Sequence, residues 1–491
     1  MSNLQNAFTE KSDHTLKSWR NEEKKALELL KIVGELRFDK SIELVLFRHD
    51  LYDVRPSQVI DDHGYAKNYV NKPITLDISL ELANEINNIE LLAPAKIDLG
   101  MLASEWIAET DQWDSMRDFV ANKLDHFIGD DKDGISPKDV VLYGFGRIGR
   151  LLARRLISIT GKGEQLRLRA IVVRQKISDR KLETDKRMSL LKSDSVHGDF
   201  PGKIEISNDG TEAIINGNRV QIIYAQQPED IDYTEYGISD ALILDNTGVW
   251  RDKEGLSRHL RPGISQVILT APGKGVPNIV HGVNHKILDQ SDENLISAAS
   301  CTTNAIVPVI KAIEDEIGID RAHIETIHAY TSDQNLLDNF HKKERRGRAA
   351  AINMVLTSTG AGNAVVKVFP HLKGKITGNA VRVPTPDVSL AILSVGLSRP
   401  SSVDEINAMM KNASLYGDLV EQVAYSESTE YVSNHVVGTT SACVIDAPST
   451  LISEDGRSVN IYAWYDNEFG YCCQVVRLAK YFAKVRRYAY Y

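Results

Sequence analysis

Apolar side chains recur at helical spacing over three stretches near the N-terminus. Residues 15–36 carry Leu16, Trp19, Leu27, Leu30, Ile32 and Val33 in this pattern. Residues 78–92 repeat it, and so do residues 103–128, with Trp106, Ile107, Trp113, Met116, Phe119, Val120, Leu124 and Phe127. This periodicity predicts amphipathic helices. The stretch 129–137, GDDKDGISP, is built from chain breakers and predicts a boundary. Beyond it the texture changes. DVVLYGF (139–145) reads as a strand, RIGRLLARRLIS (147–158) as a helix and LRLRAIVV (166–173) as a second strand. Further strands are expected at 221–225, 241–246, 266–270 and 295–299, which together predict a doubly wound parallel sheet. From about residue 301 longer runs, at 321–331, 388–399 and 458–467, predict a mixed, mostly antiparallel second sheet. The expected fold class is α/β: a parallel dinucleotide-type sheet, an α+β domain and an extra N-terminal helical segment.

Composition narrows the function classes. The 491 residues are 42% hydrophobic and 25% charged, ordinary for a globular protein, and no run approaches the ~20 apolar residues of a membrane span. The first residues lack an apolar leader core, so a cytoplasmic protein is expected. Four cysteines in this length form no disulfide scaffold, which leaves a well-placed Cys as a candidate nucleophile. The net charge of −9 argues against a general nucleic-acid binder. That charge is unevenly spread: residues 1–137 hold 26 acidic and 16 basic side chains, net −10, and the remainder is net +1. No metal-ligand spacing is found, and no metal is expected.

Gly144-Phe145-Gly146-Arg147-Ile148-Gly149 fits G-x-G-x-x-G between a strand and a helix. The first glycine permits the tight turn, the second lets a pyrophosphate approach the backbone, and the third allows close helix–strand packing. The helix N-terminus supplies N–H donors to the phosphates. A dinucleotide cofactor is therefore expected. The second strand ends Val173-Arg174-Gln175-Lys176, without the acid that would bond an adenosine 2′-hydroxyl. Cations there suit a 2′-phosphate, so NADP is favoured over NAD.

Ser300-Cys301-Thr302-Thr303-Asn304 closes a strand-like run and opens a helical one. A helix N-terminus lowers a thiol pKa. His328 follows 27 residues later, far enough for a helix and a returning strand to bring imidazole and thiol together. At this point the chain resembles glyceraldehyde-3-phosphate dehydrogenase, the phosphorylating enzyme, in a long form with an N-terminal extension. The resemblance runs from about 138 to 480. Its motifs include YGFGRIGR (143–150), DSVHGDFPG (194–202), SCTTN (300–304), HAYTSDQ (328–334), RRGRAAA (345–351), STGA (358–361), VRVPTPDVS (381–389) and WYDNEFGY (464–471).

The resemblance implies a reaction and a set of roles. Cys301 would attack the aldehyde, with His328 as base. Hydride transfer to NAD or NADP would leave a thioester, and inorganic phosphate would release an acyl phosphate. Thr331 and Arg382 match ligands of the substrate phosphate. Ser300, Thr302, Thr359 and Gly360 match ligands of the attacking phosphate, and Arg346 lies in a loop that contributes. Arg147 and Ile148 match the pyrophosphate turn, and Thr270 a position near the adenosine. Asn467 matches the side chain that fixes the nicotinamide carboxamide, with Tyr471 packed nearby. The adenine-side position is Gln226 instead of the usual Arg, and Asn363 stands where a Lys is usual. The implied domains are a 1–137 acidic helical extension, a cofactor domain 138–300 completed by a C-terminal helix at about 467–491, and a catalytic domain 301–466. A homotetramer is implied, in glycolysis or, with NADP, gluconeogenesis. Two alternatives stand beside this reading: another phosphorylated aldehyde such as erythrose 4-phosphate, and a non-catalytic regulatory homologue.

Overall fold

The computed structural model describes residues 2–66, 69–70, 72–129, 135–357 and 360–491. The chain forms two compact units. The first comprises residues 1–136 with 161–164 and 486–491, and the second 137–160 and 165–485.

The first unit opens with a long helix, Ser2–Asp39, whose C-terminal half buries Ala26, Leu29, Val33 and Leu36 at i, i+3, i+4 spacing. It packs on helices Pro56–Tyr65 and Leu76–Asn88. The helical reading of 103–128 is interrupted. One helix, Leu99–Glu109, begins at an Asp98 cap, and a second, Met116–Lys123, begins at Ser115, whose hydroxyl accepts the Asp118 N–H. A serine offering its own oxygen to the backbone starts a new helix better than it continues an old one.

The unit is also not purely helical. A four-stranded sheet runs His49–Asp50, Glu43–Leu46, Ala95–Asp98, Tyr488–Tyr490. The last of these strands is the chain's own C-terminus, parallel to Ala95–Asp98. The expected C-terminal helix therefore ends early, as Phe469–Phe482, and residues 486–491 belong to the first unit. Arg487 Nη1 there lies 2.6 Å from Glu43. Four-residue strands such as ELVL carry too little alternation to announce themselves.

The second unit holds both larger sheets. One has eight strands in the order Leu295–Ser297, Ile264–Leu269, Ala241–Asp245, Lys138–Tyr143, Leu166–Val173, Asn218–Tyr224, Glu212–Ile215, Ile204–Ile206. The first six are parallel. The chain enters at the central Lys138–Tyr143 strand, builds outward to one side and then crosses to the other. This is the Rossmann order, with a crevice at the switch point between Lys138–Tyr143 and Ala241–Asp245. Helix Arg147–Ser158 covers the sheet through Leu151, Leu152, Leu156 and Ile157, and the C-terminal helix Phe469–Phe482 packs on that helix.

The other sheet has eight strands: seven in the order Val355–Thr357, Ile376–Val383, Ile319–Ala329, Ser389–Leu397, Ser458–Tyr465, Cys443–Asp446, Val423–Ser426, and Leu451–Ile452 paired off this path with Ser458–Tyr465. It is mixed and mostly antiparallel. Its inner face and helix Cys301–Glu316 share one apolar core that includes Ile306, Ile310, Ile324, Leu393 and Ile461.

Candidate active site

The glycine loop takes the form its sequence predicts. Gly144 has φ +95°, a conformation that favours glycine. A Cβ on Gly149 would fall 2.3 Å from the Gly144 carbonyl oxygen, so helix and loop touch there. A Cβ on Gly146 would meet nothing within 4 Å. That residue caps the helix, and its open face leaves a pyrophosphate room at the helix N-terminus. These features fit a dinucleotide.

A cavity of about 430 Å³ continues from this loop past Val173, Arg174, Lys176, Arg150 and Arg187. Among the described residues no carboxylate lines it. Arg174 Nε donates to the Gln226 carbonyl at 3.1 Å, so these two sequence-selected residues stand side by side at neighbouring strand ends. Thr270 gives both its N–H and its hydroxyl to the Asp245 carbonyl. The Arg147 guanidinium turns away from the loop to Asp194, Glu468 (2.6 Å) and His197 (3.1 Å). Only the backbone of Arg147-Ile148 is then free to meet a phosphate.

His197 also lies 3.0 Å from Asp466 and 3.2 Å from Asp387. These three residues form the only set of metal-type donors among the described residues. Arg147 faces the other nitrogen of the same imidazole, and against the cost of burial the two carboxylates push His197 up to about 9.

Cys301 is the first residue of its helix, and Ser300 is the N-cap whose hydroxyl accepts the Thr303 N–H at 3.0 Å. Ala299, with φ +56°, turns the chain into that helix, and the buried Tyr471 hydroxyl donates to the Ala299 carbonyl at 2.9 Å. Cys301 Sγ lies 3.7 Å from His328 Nε2. His328 Nδ1 lies 2.7 Å from the Ala329 carbonyl and 3.0 Å from Arg382 Nη1, so both of its neighbours are on the side away from the thiol and Nε2 is left to face sulfur. Parallel strand pairing sets His328 beside Arg382, whose Nη1 donates to the same carbonyl at 2.8 Å.

The electrostatics set the resting state. Burial, followed by the Arg382 charge, pushes the His328 imidazole down to about 3. Burial also pushes the Cys301 thiol up, opposed by Arg382 and by the backbone N–H of Thr302. The sequence suggests a thiolate favoured by its helix end. In the folded chain desolvation outweighs that field, and a neutral thiol faces a neutral imidazole. A consequence is measurable. An unfolded histidine titrates near 6.5 and the folded His328 near 3, so as pH falls below 6.5 the unfolded state takes up a proton that the folded state refuses. Stability falls by about 1.4 kcal/mol per pH unit in that window from this group alone. Between pH 7 and 5 urea unfolding should show the parent losing about 2 kcal/mol more than His328→Gln.

A cavity of about 580 Å³ opens over this pair. Ser300, Thr302, Arg346, Gly360 and Arg382 line it as the sequence expects. Thr331 lies within 3.4 Å of Arg382 Nη1, and Arg346 is tethered to Asp333 and to the Thr357 hydroxyl at 3.3 Å. Thr359 lies outside the described residues. Arg251, Lys343 and Lys367 also line the cavity and were not selected from the sequence. Tyr465 was missed as well. Its buried hydroxyl joins those of Thr302 (3.1 Å) and Thr326 (2.7 Å) beneath the thiol. The available signal was a polar-tipped aromatic at an inward position of the alternating strand Val459, Ile461, Ala463, Tyr465.

Comparison with known proteins bears on both halves of this site. Residues 138–253 match the NAD binding domain model of glyceraldehyde 3-phosphate dehydrogenase, and residues 300–467 match the model of its C-terminal domain. A glyceraldehyde-3-phosphate dehydrogenase-like protein of Pseudomonas aeruginosa (strain UCBPP-PA14) is 47% identical over 455 residues, 92% of this chain and 97% of that protein. That alignment is too long to lie wholly after residue 137, so the likeness reaches into the extension. The glyceraldehyde-3-phosphate dehydrogenases of Clostridium pasteurianum (40% over 353 residues) and Streptococcus pyogenes serotype M1 (41% over 356) each cover 71% of this chain, with 99% of their own length aligned.

Proposed function

The chain belongs to the glyceraldehyde-3-phosphate dehydrogenase family and is an NAD(P)-dependent oxidoreductase acting on an aldehyde, and on that premise we propose that it interconverts glyceraldehyde 3-phosphate plus inorganic phosphate with 1,3-bisphosphoglycerate. The observation that carries this reading is the 3.7 Å approach of Cys301 Sγ to His328 Nε2 in a cavity rich in cations and hydroxyls.

The chain's groups account for each step. His328 Nε2 takes the thiol proton as sulfur bonds to the aldehyde carbon, giving a thiohemiacetal. Proton transfer inside a desolvated pair needs no standing thiolate, so the low basicity of His328 is compatible with a base that charges only in the reaction. Arg382 and Thr331 hold the substrate's phosphate. Asn467 would hold the nicotinamide, which when bound would supply the hydride acceptor for oxidation of the thiohemiacetal to a thioester. Ser300, Thr302 and Gly360 offer hydroxyl and backbone donors to a second phosphate. Its oxygen attacks the thioester carbon, the acyl phosphate leaves and the thiol regains its proton.

A cofactor crevice lined by Arg174, Lys176, Arg150 and Arg187 without a carboxylate supports NADP over NAD, through charge-assisted contacts with a 2′-phosphate. One experiment addresses both points. Reduced cofactor formed from glyceraldehyde 3-phosphate is measured with NAD and with NADP, each with and without phosphate. Phosphate-dependent turnover with a higher kcat/KM for NADP is expected. Turnover indifferent to phosphate would instead favour hydrolysis of the thioester, and with it a substrate such as erythrose 4-phosphate.

Leu336, Leu337, Ile352 and Met354 are largely exposed on the loop beside the site, and Phe340 is 91% exposed. A monomer rarely leaves so much apolar surface in one place, which supports a homotetramer built partly on this loop. Sedimentation of the full chain at micromolar concentration should give four times the 54.7 kDa subunit mass. No helix among the described residues is long and apolar enough to cross a membrane. A cytoplasmic setting suits a mechanism that needs a reduced thiol.

A further inference from the structure

We propose that Ser389 is a positioning residue that decides which end of the Asn467 side-chain amide meets the nicotinamide carboxamide; this rests on the reading that Asn467 holds that group. Asn467 Oδ1 lies 2.7 Å from Ser389 Oγ. The same Oγ accepts the Ala329 backbone N–H at 3.1 Å. A hydroxyl carries one proton, and here a backbone donor already occupies one of its lone pairs. The buried Tyr465 hydroxyl is the other hydrogen-bond neighbour of this Oγ, and the Oγ proton is donated to Asn467 Oδ1. This fixes the amide's orientation. Its oxygen is engaged within the protein, and Nδ2 has no protein partner among the described residues. Asn467 therefore presents a donor, which matches the carbonyl oxygen of a carboxamide and not its NH2.

The rest of the structure holds Ser389 where this requires. The preceding residue, Val388, is β-branched, buried and at φ +65°. Such a residue leaves the left-handed region unless its surroundings oblige it to stay. Ser389 then opens a strand in register with Tyr465, two residues before Asn467. Ala329, whose N–H Ser389 holds, also supplies the carbonyl that lies against His328 Nδ1. One buried hydroxyl thus ties the reader of the cofactor amide to the strand end that presents the base.

The test compares the natural cofactor with its 3-acetylpyridine analogue, which keeps the carbonyl and replaces the amide NH2 by methyl. In the parent enzyme the Asn467 donor finds a carbonyl on both. In Ser389→Ala the amide is free to turn its oxygen toward the carboxamide NH2, a partner the analogue lacks. The ratio of dissociation constants, analogue over natural cofactor, read by fluorescence titration without aldehyde, should rise about five- to tenfold, and so should the ratio of kcat/KM for natural cofactor over analogue, the worth of one neutral hydrogen bond. Both values come from one sample, so the ratio is independent of how much of the variant folds. A packing defect alone would lower both alike. Ser389→Cys, with a weak donor, should fall between parent and Ala. An unchanged ratio in Ser389→Ala, where Asn467→Ala does lower kcat/KM, overturns the proposal. If Asn467→Ala leaves kcat/KM intact, the underlying assignment of Asn467 fails and the proposal with it.

Discussion

Cys301→Ser should lower turnover of the aldehyde by on the order of 10³-fold or more while leaving cofactor affinity unchanged. The substitution changes one atom at the first position of a helix and disturbs no hydrogen bond that the fold depends on, because Sγ makes only long contacts to His328 and Thr302. What it removes is the nucleophile. A serine hydroxyl beside a weakly basic imidazole is far harder to deprotonate than a thiol, and its ester is a poorer acyl donor than a thioester. The expected loss corresponds to at least about 4 kcal/mol of barrier. Mass spectrometry gives a direct reading. Incubated with aldehyde and oxidised cofactor but no phosphate, the parent should accumulate one acyl group per chain and the variant none. The other cysteines, 443, 472 and 473, are buried, so the acyl group should map to Cys301 alone. A variant with near-parent turnover would remove Cys301 from the mechanism.

The second large effect separates two glycines of one loop. Gly149→Ala drives a methyl group to 2.3 Å from the Gly144 carbonyl oxygen, with the Gly144 carbonyl carbon at 3.2 Å. Backbone on both sides cannot rotate out of the way. The helix must shift off the strand, at a cost of about 1–3 kcal/mol, and the shift carries the phosphate-binding turn with it. Both the unfolding midpoint and the affinity for NAD(P) should fall, the latter by about 100-fold. Gly146→Ala is the contrast. Its backbone, at φ −77°, is open to any residue, and its Cβ meets no protein atom within 4 Å. Stability should stay within about 0.5 kcal/mol of the parent. Cofactor affinity should still fall, because the new methyl stands in the space left for a pyrophosphate. Equal loss of stability in both variants would mean that Gly146 faces protein and not ligand.

The limits of sequence reading are visible in particular residues. Helix 147–158 matches its sequence reading residue for residue, since its apolar stripe, its glycines and its context are all local. The six parallel strands of one large sheet, and Ile319–Ala329, Ser389–Leu397 and Ser458–Tyr465 of the other, lie within a few residues of their sequence reading for the same reason, whereas Ile204–Ile206, Glu212–Ile215, Val355–Thr357, Ile376–Val383, Val423–Ser426, Cys443–Asp446 and Leu451–Ile452 have no such reading. The sheet of the first unit has none either. Its strands are two to four residues long, and one of them arrives from the far end of the chain. Cys301 and His328 were legible as a pair because a helix and a returning strand join them. Tyr465 and Ser389 were not, because their roles depend on strand register alone.

The charges tell the same story. Arg147 sits in the loop motif, yet its guanidinium serves Asp194, Glu468 and His197, three groups that no sequence spacing connects to it. The sequence by itself determined the doubly wound order, the glycine loop and the pairing of Cys301 with His328, since each depends on residues a few positions apart or on one intervening element. Only the tertiary structure decided the protonation of that pair. The ionic state of a thiol and an imidazole depends on how much water folding removes from around them and on which charge comes near, and here burial disfavours the charged form of both, with Arg382 adding to it at His328 and opposing it at Cys301.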